Sequence, residues 1–567
     1  MHDLVIRNAR LYDGDGAVGK VGDLAVAGGR IAALGAAGGA AGGASVGEGR
    51  EEVDAEGLAL MPGIIDSHTH YDAQVTWDPG LTPSPSLGVT TVVIGNCGFT
   101  IAPCRPGDRD LTLRNLTHVE GMSIEVLRRG VAWDFESFPE YLTALERRGA
   151  ALNLAAFIGH SSLRTWVMGA AATERAATAP EVVEMCAIVA EAMTAGAVGF
   201  ATSTAGQHNG EGGVPMPSRL ADAAELRALV GVLGAAGRGV FMLTKGSGTT
   251  VAFLESLAVE SGRPVMIAAL LHNSTRPEQT FEELAEIGAA QARGHRLYGQ
   301  VSCCPLTMDF TLRSPYLFEG LPGWKPAMAA EGAALAAVYA DSGFRANVKA
   351  DLEGSEAVRL FNGEWDKLNL LEAATPQYRE LEHRDLAELA AMDGKHPLDW
   401  MLDCALAEDL DTIFTAVLLN SDEDAVGRML RDPYASIALS DAGAHLTFFC
   451  DAGFGLYLMG HWSRELGVLP LEEAIWQLTG RPAEIFGIQE RGRLVPGYAA
   501  DLLLFDPASV GRGPKQRVFD LPGGAPRLTT PALGVHGVWV NGVKVADETG
   551  AREDAGRPGQ VLRNFAA

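Results

Sequence analysis

From about residue 58 the chain settles into short apolar runs separated by Ala-, Leu- and Glu-rich stretches, and this alternation narrows the fold more than any other feature. Runs at 59–65, 90–94, 152–158, 196–202, 239–244, 265–271, 412–418 and 436–440 have the length and near-continuous hydrophobicity of buried strands. Helical patterns, for example 180–195 and 220–236, fall between most of them. Eight strands with crossover helices fit a closed, TIM-like (β/α)8 barrel of the α/β class. An open doubly wound sheet is the competitor, but no Gly-x-Gly-x-x-Gly follows the first strand.

Both chain ends have a different texture. Segments 4–8, 24–27 and 30–34 are short strand-like pieces divided by Gly and Asp turns, and residues 35–49 are rich in Gly and Ala, as a flexible hairpin loop would be. The β texture returns at 492–506 and 535–545, where Asn541-Gly542 signals a hairpin. The expected organisation is a small β-sandwich domain formed from both termini (1–57 and 490–567) with the barrel, at 58–489, set into it. Between the sixth and seventh strand candidates, about 272–411, lies far more chain than one crossover needs. This insertion, near 300–400, carries Tyr316, Phe318, Pro322 and Trp324 and helical patterns at 326–341 and 384–392, and reads as a lid or substrate-covering subdomain.

Charge and composition exclude several classes. Hydrophobic residues make up 47% of the 567 and charged residues 20%, a globular balance. Lys plus Arg number 45 against 71 Asp plus Glu, a net charge of −26, so the basic footprint that a nucleic acid requires is missing. No apolar run approaches the ~20 residues of a membrane span, and the first residues lack a basic-then-apolar leader, so a soluble cytoplasmic protein is expected. The seven cysteines show no Cys-x-x-Cys spacing, which argues against a disulfide framework. Homo-oligomerisation is left open.

The chemistry is read from the residues just past each strand, because reactive groups of a parallel barrel collect at the C-terminal ends. His68 and His70, one residue apart, project from the same face of an extended strand. Asn96-Cys97-Gly98 follows the second candidate, His160 the third, Ser203-Thr204 the fourth, Thr244-Lys245 the fifth, His272 the sixth, and Asp441 with His445 the eighth. Imidazole and thiolate together suit zinc, which brings the ionisation of water near neutrality, and a carboxylate nearby can take up a proton and return it to a leaving nitrogen. The same residues allow quieter readings. Cys97 is a ligand, a buried structural cysteine or a nucleophile; His160 a hydrogen-bonded strand end or a ligand; His445 a pocket residue or part of a loop. The glycine-rich loop 206–219, with His208 and Arg219, is a mobile rim whose arginine clamps a substrate carboxylate, or a plain surface connection.

Five segments carry a resemblance: Pro62-Gly-Ile-Ile-Asp-Ser-His-Thr-His70, Gly95-Asn-Cys-Gly-Phe99, Ile158-Gly-His-Ser-Ser-Leu-Arg164, Ser440-Asp-Ala-Gly443 and the closing Gly497-x-x-Ala-Asp-Leu502. Over almost its whole length the chain resembles the amidohydrolase superfamily, and within it the N-acyl-D-amino-acid deacylase (D-aminoacylase-like) branch. The resemblance implies one or two zinc ions at the barrel mouth. It matches His68 and His70 to first-strand ligands, Cys97 to a cysteine in place of a bridging carboxylate, His272 to a sixth-strand histidine, and Asp441 to the aspartate that contacts the metal, orients water and shuttles its proton. Lys245 stands where a fifth-strand histidine is expected, and three readings stay open for it: a carbamylated ligand, a substrate-carboxylate anchor, or a surface residue. After Asp441 the chain reads Ala-Gly-Ala-His and then Phe-Phe-Cys, without the expected His-Pro-Arg-like anchor.

The reading is a metal-dependent hydrolase of a small-molecule C–N amide outside peptides, an N-acyl (D-)amino acid, with Asp441 as general acid and base and with His160, His208, Arg219, Lys245 and His445 as candidate substrate contacts. Hydrolysis of a cyclic amide or imide by the same centre is the second reading. A non-catalytic ligand-binding barrel is the third.

Overall fold

The computed structural model describes residues 1–36, 45–119, 121–313, 315–318, 320–354, 360–445 and 450–567. Most of the glycine-rich loop (37–44) and the Phe448-Phe449 pair therefore lie outside the described residues.

Eight parallel strands run in the order of a barrel: Ile64–Asp66, Val89–Ile94, Asn153–Gly159, Gly199–Ser203, Val240–Thr244, Val265–Leu270, Leu297–Val301 and Ala435–Ile437. Almost every residue of the first six is buried, as a sheet covered by helices on its outer face requires. The first and last strands meet just beyond their ends, where Thr69 bridges Ala442 in parallel and His70 N donates to Ala442 O at 2.8 Å. Outer helices include Ala179–Ala195, Ala223–Ala236, Val251–Ser261 and Gln279–Ala292. Asp222 starts the second of these by accepting from Glu225 N, and Thr250 starts the third by accepting from Phe253 N.

The seventh strand departs from the sequence expectation. Ile413–Leu419 is the middle strand of a three-stranded antiparallel sheet with Leu306–Phe310 and Leu368–Glu372, and its burial alternates residue by residue. The barrel's own seventh strand is Leu297–Val301, so the insertion lies between strands seven and eight, about 302–434, rather than between six and seven. The physical reason is compositional. Leu-Tyr-Gly-Gln-Val spends two of five positions on Gly299 and Gln300, while Ile-Phe-Thr-Ala-Val-Leu-Leu is the more apolar run.

The insertion has its own apolar core, which includes Phe310, Phe318, Trp324, Tyr339, Leu368 and Phe414, with Phe318 stacked on Trp324 at 4.5 Å. It rests on the C-terminal side of the barrel: Tyr316 Oη donates to Gln207 O (3.3 Å), and Ser274 Oγ donates to Glu364 (2.9 Å).

Segments from both chain ends share one nine-stranded sheet. The run 59–65 is divided between the two sheets at Gly63. Ala59–Pro62 pairs antiparallel with Leu502–Phe505 in the terminal sheet, and Ile64–Asp66 begins the barrel. Asp501 fastens this junction. Its carboxylate accepts from Asn153 Nδ2 (3.0 Å) on the third barrel strand, from Asn541 N (2.8 Å) and from Arg491, while its carbonyl accepts from Gly63 N (2.9 Å). The hairpin at Asn541-Gly542 forms, with φ of 48° and 79° as its tight turn demands. No helix among the described residues is long and apolar enough to cross a membrane.

Candidate metal centre

Three donors converge at the barrel mouth. His68 and His70, just past the first strand, and Cys97, just past the second, bring ligand atoms within 4.8 Å of one another, and all three are buried. Cys97 Sγ stands 3.5 Å from His68 Nε2 and 3.9 Å from His70 Nε2. The cysteine reaches this position from a left-handed backbone (φ 57°), and Gly95, two residues before it, and Gly98, next after it, share that conformation. Gly98 has φ 74°, and a Cβ there would meet Ala201 O at 2.6 Å and His160 N at 3.0 Å. The turn is braced by Gly95 N, which donates to Asp72 Oδ2 (2.9 Å), and by Asn96 Nδ2, which donates to Val93 O (2.8 Å).

Asp441 completes the group. Its Oδ1 is 3.3 Å from His68 Nε2 and 3.5 Å from His70 Nε2. Burial pushes the Asp441 carboxyl up, but the charges of His68 and His70 and the His70 hydrogen bond outweigh it and hold the pKa below the usual carboxylate range. Burial likewise pushes the Cys97 thiol up, yet the two imidazoles bring it down to about 7, and Thr244 Oγ1 donates to its sulfur at 3.0 Å. For His68 burial opposes the charged form, while Cys97 and Asp441 raise its pKa on balance. Two imidazole nitrogens, an acidified thiol and an ionised carboxylate crowd one buried point, where they need a cation or shared protons. The donor set suits a tetrahedral, borderline-soft divalent ion.

A family model described as the amidohydrolase family matches residues 51–546. The chain belongs to the amidohydrolase family. It is 32% identical to D-aminoacylase of Alcaligenes xylosoxydans xylosoxydans over 96% of this chain and 95% of that one. A solved D-aminoacylase with a binuclear metal centre, described by one-metal activation and second-metal attenuation, is 28% identical over the whole of both chains with a TM-score of 0.67. N-acyl-D-glutamate deacylase of Bordetella bronchiseptica, solved with zinc and a phosphonate inhibitor, is 27% identical over 99% of this chain and 100% of that one, also with a TM-score of 0.67.

Other residues singled out from the sequence of this amidohydrolase fall in three places. His208 and His445 line the space beside Asp441 and His70. Burial, with the neighbouring imidazoles, lowers the His208 pKa to about 3; burial lowers that of His445 to about 4 against the pull of Asp441. His208 Nδ1 shares a 2.6 Å hydrogen bond with Ser203 Oγ, and its ring meets Phe99 edge-on at 5.0 Å. Arg219 holds this loop in shape by donating to His208 O (3.2 Å) and to Asn209 Oδ1.

Three of the candidate residues point away from the donor cluster found among the described residues. Lys245 Nζ pairs with Glu283 of the outer helix at 2.9 Å and is not part of the donor cluster found among the described residues. His272 stays out of the donor cluster found among the described residues; its backbone is gripped by Asn420 (2.7 and 2.9 Å) and its ring lies 6.3 Å from Phe281. His160 turns to the helix side. Its Nδ1 accepts from Thr202 Oγ1 (2.7 Å) and its Nε2 donates to Glu225 (2.9 Å), which also holds Arg164. Strand-end position tells how far along the barrel a residue lies, not which side of the backbone its ring takes.

Sequence reading passed over Gln300. It lies fully buried on the seventh strand, where Oε1 accepts from His68 Nδ1 at 2.6 Å. The available signal was spacing: Leu297–Val301 begins five residues after the helix Gln279–Ala292, as the next strand of a βα unit should.

Proposed function

We propose that this amidohydrolase removes the acyl group from an N-acyl-D-amino acid, using one zinc ion held by His68, His70 and Cys97 with Asp441 beside it. The observation that carries the reading is the convergence of two imidazole Nε2 atoms and a thiol within 4.8 Å, with one carboxylate oxygen 3.3 and 3.5 Å from both imidazoles. Zinc bound there supplies Lewis acidity, easing the ionisation of water near neutrality and drawing charge from an amide carbonyl. A single ion suits this chain because Lys245 is engaged by Glu283 and His272 stands apart. The curated and solved relatives act on N-acyl-D-amino acids or carry metal centres of this kind, which supports the substrate class.

Asp441 does the proton work. Ionised at neutral pH, its carboxylate accepts the proton of an attacking water and delivers it to the amide nitrogen, without which the amine departs poorly. His208 and His445 remain neutral and present hydrogen-bonding edges rather than charge to the substrate. Arg219 holds the substrate carboxylate. Among the described residues no carboxylate lies within ion-pair distance of it, so its charge is available to an anionic ligand.

The test is a panel of N-acetyl-D- and N-acetyl-L-amino acids with neutral and acidic side chains, offered to zinc-loaded protein and to its His70→Ala variant. Release of acetate from D-substrates alone, lost in the variant, is the expected result. Stoichiometric zinc with no hydrolysis of any N-acyl amino acid refutes the activity while leaving the metal centre standing.

A further inference from the structure

Zinc ligation by imidazole depends on the nitrogen that faces away from the metal, because its hydrogen bond fixes which nitrogen keeps the lone pair. His68 offers this backing from an unexpected source. Its Nδ1 meets Gln300 Oε1 at 2.6 Å, and Gln300 Nε2 in turn faces Ser67 Oγ at 3.4 Å, so the amide is held between the first strand's end and the seventh strand. The carboxamide orientation decides the chemistry. With Oε1 toward Nδ1, that nitrogen carries the hydrogen, and Nε2 presents its lone pair to the point shared with Cys97 and Asp441. The reverse orientation would place the hydrogen on Nε2 and close that position to a cation.

We infer that Gln300 is a positioning residue for the metal centre: it selects the His68 tautomer and ring orientation that bind zinc. This rests on the reading of His68, His70 and Cys97 as ligands.

The experiment measures zinc affinity of the full chain by competition with a chromophoric chelator, for wild type and for the Gln300→Leu, Gln300→Asn and Gln300→Glu variants, with melting of the metal-free proteins in parallel. The expected outcome is about 10–100-fold weaker binding for Leu and for Asn, whose reach is one methylene short, and recovery to within about threefold of wild type for Glu, which restores the acceptor. Cobalt-substituted wild type and Leu variant should differ in their visible spectra, a change that a loss of packing alone would not produce. If Leu does not fold, Asn and Glu decide the matter. Affinity for Leu or Asn within about threefold of wild type overturns the inference and leaves the centre intact. Failure of wild type to bind zinc at all overturns the centre, and this inference with it.

Discussion

Replacing Glu225 by leucine tests whether the His160 cluster is structural. Arg164 and His160 are both fully buried; Arg164 Nη1 reaches both oxygens of Glu225 at 2.6 and 2.5 Å, and His160 Nε2 donates to one of them at 2.9 Å. Removing the carboxylate leaves a fully buried guanidinium without its counter-charge, a change that costs about 3–5 kcal/mol in comparable buried pairs. At roughly 0.8 °C per kcal/mol for a chain of this size, the melting midpoint falls by about 2–4 °C. The pH dependence follows from Glu225. Burial pushes its pKa up, but the hydrogen bonds and charges of His160 and Arg164 lower it on balance. A folded-state pKa below the unfolded value of about 4.3 means stability that is present above that value and lost as pH falls through the folded one. The gap between wild type and variant is thus at its full width above about pH 4.3 and closes only as pH falls from there through the lower folded-state pKa. Substituting Arg164→Met together with Glu225→Leu removes both charges and should regain at least half of the loss. Thermal melts at pH 7.5 and at successive steps below about pH 4.3, with zinc content of the folded fraction, complete the assay. A single-variant loss under about 1 kcal/mol would refute the argument from buried charge, and loss of zinc without loss of stability would return His160 to the site.

Three further outcomes are expected. Gly98→Ala forces a Cβ to 2.6 Å from Ala201 O at φ 74°, so melting should show a loss of about 1–3 kcal/mol and chelator competition about tenfold weaker zinc binding; an unchanged affinity would mean the Cys97 turn tolerates displacement. Lys245→Met should leave zinc stoichiometry by elemental analysis untouched, because the ammonium sits on Glu283, whereas a loss would restore Lys245 to the ligand set. Asp501→Ala deserts Arg491, whose side chain is 7% exposed, and unfastens the terminal sheet from the third barrel strand. Denaturant unfolding should register about 3–5 kcal/mol, and limited proteolysis should cut first near the chain ends; resistance equal to wild type would count against the fastening role.

What was legible in the chain depended on where the information is stored. Strands with aliphatic interiors show themselves as apolar runs, and the period of two by itself places His68 and His70 on one face. Cys97 stands out because it follows the second strand candidate, and the structure shows how it is presented: a left-handed turn with a neighbouring carbonyl 2.6 Å from where a Gly98 Cβ would be. The seventh strand hid because its buried position is given to Gln300, a polar residue facing His68, which removed the signature by which strands are found. The roles of Lys245, His160 and His272 stayed open for another reason. Their roles are set by side-chain direction, and that is decided by distant partners (Glu283, Glu225 and Asn420) that no local pattern reveals.

The centre lies on the seam where the barrel closes, and this placement joins fold to function. Beyond the eighth strand the chain runs through Leu439, Asp441 and His445, each with positive φ (69°, 47° and 54°), conformations that cost non-glycine residues about 1 kcal/mol or more apiece. Local preference opposes this path, so closure must hold it. His70 N donates to Ala442 O at 2.8 Å, Thr69 bridges Ala442, and Ser440 Oγ donates to His68 O at 3.2 Å, so the backbone bonds that close the barrel also bring Asp441 to the two histidines. A barrel opened at this seam has His68 and His70 but no carboxylate beside them. A cation that binds the closed arrangement more tightly than the open one therefore stabilises the seam by mass action, and the strain stored from Leu439 to His445 is opposed by the ion the site is built to hold.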